Sequence, residues 1–470
     1  MFPPFFSTRH LKFWGMILTG LVLGSLLLSL MLTPSILAKR NAETFTAQNM
    51  PNATRTSVVG PTPEPSATHP SPQPSATPLS PQPTVLPQVA YHTSGKRILD
   101  TIGRPYVPYG VFLGGILLAN QNWQQNGART YITRDAIQAA HDFWSSNMIS
   151  LQVAYEPLFP QGASGPLDGE YLAFIDKVVK QANALGMNVS IVLQEEAIYG
   201  TQGQKVTLPT VDALTFWDII SRHYARNQRV FFDLFNEPDI SGLTEPAGET
   251  ANDCTPGSGS QAITWDDACA WSYWKNGTTQ GGVTYYGMNQ LAHKIRANGA
   301  QNLIFAQGLA TGEDLALLAN TYTAQQGREF RLTVPNVVYA VHPYFGLSHD
   351  TQNQWDQWFG QAAALGDFPV LAAEWSLNQE KGSGCEASSQ VQIPQISVFL
   401  RYLRSKSIGL VGWALQSGAL IRNWNFRNPT TFSSATMPTD CDVPPLSTDP
   451  QAQGAGKLLQ EYFAANSIQT

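Results

Sequence analysis

The sequence predicts an α/β protein whose main domain is a closed (β/α)8 barrel, also called a TIM barrel. Eight short apolar runs lack the period-two alternation of half-solvated strands, so we expect strands covered on the outside by helices. Amphipathic stretches separate these runs, and strand and helix alternate along residues 91–470. This region of 380 residues exceeds the roughly 250 of a plain barrel, which places the excess in loops.

The residues before the barrel predict an export segment and a linker. Residues 1–40 contain a basic start and an uncharged, leucine-rich run at 13–32, about one bilayer thick. They fit a cleaved signal peptide and an uncleaved membrane anchor equally well, with Ser35–Ala38 as the cleavage site. Residues 41–90 are rich in Pro, Ser and Thr, which predicts a disordered, semi-rigid stalk. We therefore expect an extracellular protein, secreted or anchored at the cell surface.

Composition argues against several classes of partner. The chain is 43% hydrophobic and 13% charged, with a formal net charge of −6. No basic stripe stands out after the linker, so nucleic acid is not expected as a partner. The 12 Trp, 16 Tyr and 22 Phe residues could fill a core or line a groove for sugar rings, and composition does not separate the two.

The four cysteines predict disulfides rather than a metal site. Cys254, Cys269, Cys385 and Cys441 lie in loop-like sequence, and none forms a C-x-x-C pair. Export favours oxidation, and closure of short loops favours the pairs 254–269 and 385–441. The other two pairings and four free thiols remain alternatives.

The apolar runs and the amphipathic stretches follow each other in order. The predicted strands are Val107–Leu113, Met148–Ala154, Asn188–Leu193, Val230–Phe235, Asn302–Gln307, Val337–His342, Val370–Glu374 and Leu410–Leu415. The predicted helices are Tyr171–Leu185, Tyr285–Ala297, Asp314–Ala319, Trp355–Leu365, Gln392–Lys406 and Lys457–Ala464. The largest insertion is Asp239–Gly282, with Trp265, Trp271 and Trp274. A doubly wound open sheet is the rival fold, but the Gly-rich phosphate turn that it normally carries is not evident.

Two predicted strands end in a glutamate. The fourth runs into Asn236-Glu237-Pro238 and the seventh into Glu374. Strands four and seven lie on opposite sides of an eight-stranded barrel, so both carboxyls can point into its mouth. A pair of carboxyls about 5–5.5 Å apart is what cleavage of a β-glycoside with retention requires. We predict Glu237 as the general acid/base and Glu374 as the nucleophile.

Other strand ends carry residues that suit a sugar site. Asn236 could bond the sugar 2-OH, and Tyr344 could donate to Glu374. His342 could bond a sugar hydroxyl or tune the acid, and Trp413 could form an aromatic floor for a sugar ring. Taken singly, a glutamate after a strand is usually a solvated charge, and a histidine or tryptophan is usually core. The joint pattern at strand ends four, six, seven and eight favours the site.

This pattern resembles glycoside hydrolase family 5, the cellulase-like retaining enzymes, over roughly residues 95–465. The resemblance implies the roles given above for Glu237 and Glu374, and binding roles for Asn236, His342, Tyr344 and Trp413. The Gly110–Gly115 stretch resembles the family's β-1,3-glucanase branch, with Phe112 in place of an asparagine.

The chain departs from the family at two further strand ends. Ser150 stands where the family has an arginine that bonds the nucleophile. Gln194 stands where a histidine is frequent, and we expect it to bind substrate there. Losing that positive charge should raise the pKa of the nucleophile. Arg129 or Arg422 from a loop could replace the arginine. Glu195 and Glu196 fit a solvated loop or salt-bridge pair better than substrate contacts.

The sequence therefore predicts a hydrolase that cleaves β-linked glucan or mannan-type polysaccharide through a covalent glycosyl-enzyme. Its partner is the polysaccharide, it needs no cofactor and no metal, and we expect a monomer. The rival from another class is a carbohydrate-binding pseudoenzyme, which the departures at Ser150 and Gln194 favour. A structural module displayed by the stalk is a weaker alternative.

Overall fold

The computed structural model describes residues 90–119, 122–125, 127–161, 165–194, 207–240, 243, 268–319, 329–345, 350–377, 386–387, 392–415, 420 and 453–467. Eight parallel strands, β1 to β8, close into a barrel in which every strand pairs with its neighbours in sequence and β8 pairs with β1. The predicted fold class is confirmed for the barrel, whereas the segments 1–40 and 41–89 lie outside the described residues.

Each barrel strand begins and ends close to its predicted position. The strands are β1 Tyr109–Leu113, β2 Met148–Val153, β3 Asn188–Leu193, β4 Val230–Asp233, β5 Ile304–Gln307, β6 Val337–Val341, β7 Val370–Trp375 and β8 Gly409–Leu415. Nearly all of their residues are buried, as expected for a parallel sheet covered by helices on its outer face.

Helices surround the barrel. The α-helices are Ala128–Tyr131, Arg134–Asp142, Tyr155–Leu158, Gly169–Ala184, Val211–Tyr224, Ala268–Asn276, Met288–Ala297, Gln352–Trp355, Gln361–Leu365, Gln392–Ser405 and Ala455–Ser467, with a π-helical turn at Asp356–Gly360. The segment Leu309–Gly312 is a turn with left-handed residues. Thr133, Asp168 and Thr210 accept backbone N–H bonds at the starts of three of them. Each such cap stabilises its helix by about 1 kcal/mol.

Two predicted helices differ from the structure. Tyr285 does not start a helix but lies in the hairpin Gly277–Gln280 and Val283–Tyr286. Gly281 and Gly282 have positive φ at its turn, and the β-branched and aromatic residues that follow favour a strand. The predicted helix Asp314–Ala319 is only a 3-10 turn at Ala316–Leu318, because Asp314 instead accepts the Ala316 N–H and closes the turn.

The barrel has an apolar inner core. Inward side chains from all eight strands form one cluster: Phe112, Met148, Val192, Phe231, Leu303, Phe305, Val338, Ala340, Leu371, Ala373, Val411 and Ala414. Ile98 and Tyr106 of the three-stranded sheet before β1, and Tyr91 just ahead of that sheet, pack against it. Tyr91 meets Phe231 edge to face, 5.2 Å between ring centroids. This cluster is apolar throughout its barrel strands, whereas the polar residues follow at the C-terminal ends of the strands, where TIM-barrel enzymes have their active sites.

The insertion after β4 contributes core rather than an exposed aromatic surface. Trp271 and Trp274 are fully buried in Ala268–Asn276, whereas Trp265 lies outside the described residues. Cys269 of the same helix is buried and disulfide-bonded. The other cysteines lie outside the described residues, so the pairing 254–269 stays a prediction. Within the ranges described, no helix is long and apolar enough to cross a membrane.

Candidate active site

The two predicted catalytic glutamates meet at the C-terminal rim of the barrel. Glu237 follows β4 and Glu374 lies near the end of β7. One side-chain oxygen of each and one ring nitrogen of His342 lie within 4.8 Å of one another. His342 Nδ1 is 3.2 Å from Glu237 Oε1 and 3.9 Å from Glu374 Oε2. The structure thus brings together three side chains that sequence reasoning placed on three separate strand ends.

Glu237 is held through its backbone. It adopts a left-handed conformation, with φ of 51°, which is costly for a residue with a Cβ and is typical of functional sites. Its N–H donates to Gln307 Oε1 at 2.7 Å, and Asn236 N–H donates to the Leu193 carbonyl at 2.8 Å. The Glu237 side chain is 29% exposed. It is therefore accessible to a substrate, while its main chain is anchored to β3 and β5.

Glu374 is the more enclosed carboxyl. Its side chain is 5% exposed, and the Tyr344 hydroxyl donates to its Oε1. Burial raises the pKa of Tyr344 well above its ordinary value, and the nearby Glu374 and Glu237 charges raise it further. Tyr344 therefore stays a donor, and a donated hydrogen bond favours the ionised form of the carboxyl that a nucleophile needs.

A buried polar network beneath the rim was missed by sequence reasoning. Gln307, at the end of β5, is fully buried and donates its Nε2 to Asp233 Oδ2 at 3.0 Å. The Trp274 indole donates to the Gln307 carbonyl at 2.9 Å. Gln307 therefore links Asp233 below to the Glu237 backbone above. Two features of the sequence could have revealed this network: Asp233 is a carboxyl inside the apolar run of β4, and Gln307 is an amide at the end of β5.

Asp233 is a buried carboxyl directly under the catalytic pair. Burial, the dominant cause, raises its pKa to about 7; Gln307 and His342 lower it, and Glu374 raises it. Asp233 therefore changes charge near neutrality, although it is only 1% exposed.

A fourth acidic side chain, Glu313, lies close to the site, on the loop after β5. Ala310, Thr311 and Gly312 all have a left-handed backbone conformation, with φ of 54°, 58° and 84°. The backbone N–H of His342 donates to the Gly312 carbonyl at 2.9 Å. This turn leads into Glu313. Burial raises the pKa of Glu313 to about 7, and the Glu237 charge raises it further while His342 opposes both. Glu313 had no signal in the sequence, because its approach depends on this unusual turn.

His342 lies among these acids. Its ring is 1% exposed. Burial lowers its pKa, but Glu374, Glu237 and Asp233 together outweigh burial and raise it above the ordinary value. The Tyr344 hydroxyl bonds Oε1 of Glu374, and His342 Nδ1 lies at hydrogen-bond distance from Oε1 of Glu237.

The remaining predicted side chains lie around the same rim. Gln194 follows β3 and Asn236 follows β4; both are 4% exposed, and each side-chain carbonyl lacks a hydrogen-bond partner among the described residues. Trp413 of β8 donates its indole N–H to Gln152 Oε1 of β2 at 3.4 Å. Gln152 was not among the predicted site residues, because Ser150 was the position on β2 expected to matter.

Ser150 leaves no positive charge on β2. It alternates with Ile149 and Leu151, which pack outward, so Ser150 faces the barrel interior beside Phe112 and Ser190. The suggestion that Arg129 replaces the missing arginine is wrong. Arg129 pairs with Glu170 and lies 4.8 Å from the Trp123 ring, with its side chain 44% exposed. The other suggested cation, Arg422, and the pair Glu195 and Glu196 lie outside the described residues.

Comparisons with known proteins agree with this architecture. The catalytic domain of an endoglucanase from Thermobifida fusca superposes with a TM-score of 0.52 at 14% identity, covering 80% of this chain and 98% of that one. A β-glucanase from Saccharophagus degradans gives 0.52 at 18% identity, covering 83% and 98%. At these identities the likeness is one of fold.

Curated relatives match a shorter segment. Endo-β-1,4-glucanase B of Aspergillus niger is 33% identical over 91 residues, which is 19% of this chain and 27% of that protein. A probable endo-β-1,4-glucanase B of Aspergillus kawachii is 32% identical over 91 residues, 26% of its length. The chain thus spans only about a quarter of these relatives.

The family assignment rests on a longer match. The model of the cellulase family, glycosyl hydrolase family 5, matches residues 116–419, more than half of the 470 residues. That range contains Asn236, Glu237, His342, Tyr344 and Glu374. With the closed barrel and the paired glutamates at its rim, the match shows that this chain belongs to the cellulase family, glycosyl hydrolase family 5.

Proposed function

We propose that this protein is an exported glycoside hydrolase that cleaves β-linked glucan with retention of configuration. The approach of the Glu237 and Glu374 carboxyls, with oxygens within 4.8 Å, carries the proposal. Retaining glycosidases hold their carboxyls about 5–5.5 Å apart, whereas inverting enzymes need about 6.5–9.5 Å to admit a water molecule.

Hydrolysis then takes two displacements. Glu237 donates its proton to the glycosidic oxygen as the bond to the anomeric carbon breaks, while a Glu374 oxygen bonds to that carbon. The leaving sugar departs with the proton. Glu237, now ionised, removes a proton from water, whose oxygen attacks the anomeric carbon and releases Glu374. Both carboxyls return to their starting protonation states.

The surrounding residues have supporting roles. Tyr344 holds the nucleophile with its donated hydrogen bond, and His342 orients Glu237. Asn236 and Gln194 offer buried side-chain amides to substrate hydroxyls, and Trp413, only partly buried, offers a face for a sugar ring. The chemistry requires neither a metal nor a cofactor.

The names of the relatives favour glucan over mannan. The fungal proteins are described as endo-β-1,4-glucanases, and the solved neighbours as an endoglucanase and a β-glucanase. Extracellular action on a polysaccharide also suits the export segment and stalk predicted for residues 1–90, and we keep the expectation of a monomer.

A panel of polysaccharides tests the function. Incubation with β-1,4-glucan, β-1,3-glucan and β-mannan should release reducing sugar from a β-glucan. Glu237→Gln and Glu374→Gln should each lower kcat by several orders of magnitude with unchanged thermal stability. Glu461→Gln, on the exposed face of the last helix, is the matched control and should keep full activity. Full activity in either catalytic variant rejects the assignment.

The carbohydrate-binding pseudoenzyme is the second candidate, because Ser150 and Gln194 depart from the family pattern. A 2-fluoro glycoside separates the two functions, since it accumulates as a covalent adduct only if the nucleophile attacks. Mass spectrometry should find the label on the peptide that contains Glu374. Sugar binding that raises the melting temperature, without labelling or turnover, supports the pseudoenzyme.

A further inference from the structure

A groove lies on the outside of the barrel, between the helices Arg134–Asp142 and Gly169–Ala184. We call it the helix groove. It encloses about 410 Å³, which falls within the roughly 300–1,000 Å³ of pockets that bind small ligands. Its lining residues come from these two helices and from Leu185, which follows the second. The helix groove therefore shares no residue with the candidate active site.

Three cationic side chains line the helix groove: Arg134, Lys177 and Lys180. All three are exposed, and none forms an ion pair or a side-chain hydrogen bond with another described residue. Elsewhere on the described surface, arginines such as Arg104 and Arg222 pair with a carboxylate. Residues three apart on a helix are neighbours, and like charges on neighbours destabilise the helix. Positive charge gathered without acidic partners therefore favours an anionic ligand.

The acid next to Lys177 in the chain does not neutralise this charge. Asp176 Oδ1 accepts the hydroxyl of Tyr224, on the following helix, at 2.7 Å. The same oxygen lies 2.7 Å from Nε2 of His223. Asp176 is thus held by side chains that do not line the helix groove.

The rest of the lining is suited to sugar. Gln138 and Gln181 supply side-chain amides, which both donate and accept hydrogen bonds. Ile137, which is fully buried, and Leu185, which packs against the core, supply apolar surface. A polysaccharide that carries carboxylates offers a partner for each kind of group: its acids for the cations, its hydroxyls for the amides, and the C–H faces of its rings for the apolar surface.

We propose that the helix groove binds an acidic polysaccharide, of the kind built from uronic acids, at a surface separate from the catalytic pair. Arg134 can hold a carboxylate through two parallel N–H bonds, whereas Lys177 and Lys180 act as point charges. Such binding goes beyond the proposed hydrolysis and does not depend on it. It would hold the protein on an acidic polymer while the barrel rim stays open.

Binding of the full chain to immobilised polygalacturonate tests the proposal. We expect binding that weakens as NaCl rises from about 20 mM to about 500 mM, because salt screens exposed charges. Fully methyl-esterified polygalacturonate keeps the sugar but loses the charge, and it should not bind. The combined variant Arg134→Gln, Lys177→Gln and Lys180→Gln should bind polygalacturonate about tenfold more weakly at low salt, since each exposed ion pair contributes little but three are removed.

The matched control combines Arg97→Gln, Arg226→Gln and Arg401→Gln. It removes the same number of positive charges from exposed positions outside the helix groove, and it should keep the native affinity. Glu237→Gln should also bind as the native protein does, because the catalytic pair takes no part. Absence of binding by the native protein, or equal weakening in the two combined variants, overturns the proposal.

Two other ligands decide whether the helix groove recognises an acidic sugar. Binding of the methyl ester as tight as that of polygalacturonate overturns the role of the three cations. Binding of poly-glutamate as tight as that of polygalacturonate overturns the polysaccharide in favour of an acidic peptide. If the native protein cleaves no β-glucan, the proposed function fails, and these binding results still decide what the helix groove holds.

Discussion

Replacing Gln307 by leucine tests whether the buried network holds the acid/base in place. Gln307 is fully buried and makes two side-chain hydrogen bonds, 2.7 Å from the Glu237 N–H and 3.0 Å to Asp233. Leucine has a similar volume, so the substitution leaves little cavity and little stability is lost for that reason. Each lost hydrogen bond leaves one buried polar group without a partner, which lowers the free energy of unfolding by about 1–3 kcal/mol. The free energy of unfolding should therefore fall by roughly 2–6 kcal/mol.

Urea denaturation at pH 7 measures this loss as a lower midpoint with an unchanged slope. The kcat of Gln307→Leu should fall by about 100-fold, since a displacement of Glu237 by about 1 Å costs that much. Gln301→Leu, at an exposed position just before β5, should change stability by less than about 0.5 kcal/mol. A Gln307→Leu protein with native stability and native kcat would refute the role of the network.

Three further changes follow from the same contacts. Tyr344→Phe should lower kcat by about 10–100-fold without unfolding the protein, because Glu374 loses a charge-assisted donor; steady-state kinetics shows this. Between about pH 4 and pH 7 the Asp233 carboxyl keeps its proton in the folded native protein but loses it in the unfolded chain, so the native protein loses stability as pH rises. Asp233→Asn does not share that loss, and its stability relative to the native protein should therefore increase over this range. The pKa shift of Asp233 from 3.8 to about 7 corresponds to on the order of 4 kcal/mol of unfolding free energy. Urea titrations at both ends of that pH window measure the stability difference between the two proteins. A difference that is the same at both ends contradicts the prediction. Trp217→Ala should destabilise by about 3–5 kcal/mol, because this buried ring also donates to the Leu234 carbonyl at 2.8 Å; calorimetry reports the loss.

The barrel was predictable because each strand is a local apolar run. Residues such as Val370–Trp375 can be buried on both faces only in a covered parallel sheet. The failures were also local. The helix predicted from Tyr285 begins at Met288, because Tyr285 and Tyr286 belong to a hairpin strand. Asp314 closes a turn where a helix was predicted. In both cases glycine or side-chain hydrogen bonds prevailed over periodicity.

The catalytic pair and the hydrogen bond from Tyr344 to Glu374 were predictable, but the buried network under Glu237 was not. Glu237, His342 and Glu374 each follow an apolar run, and parallel strands bring their ends to one rim. Asp233 and Gln307 meet only through the register that pairs β4 with β5, which the sequence does not encode locally. Glu313 approaches the site through three successive left-handed residues, and only one of those residues is glycine.

The configuration of the first product is the most direct test of the central claim. Proton NMR during the first minutes of hydrolysis distinguishes the two anomers of the new reducing end before they interconvert. Glu237 and Glu374 at the observed approach predict that the β-anomer forms first from a β-glucan. Initial formation of the α-anomer would contradict the double displacement and the role of Glu374 as nucleophile.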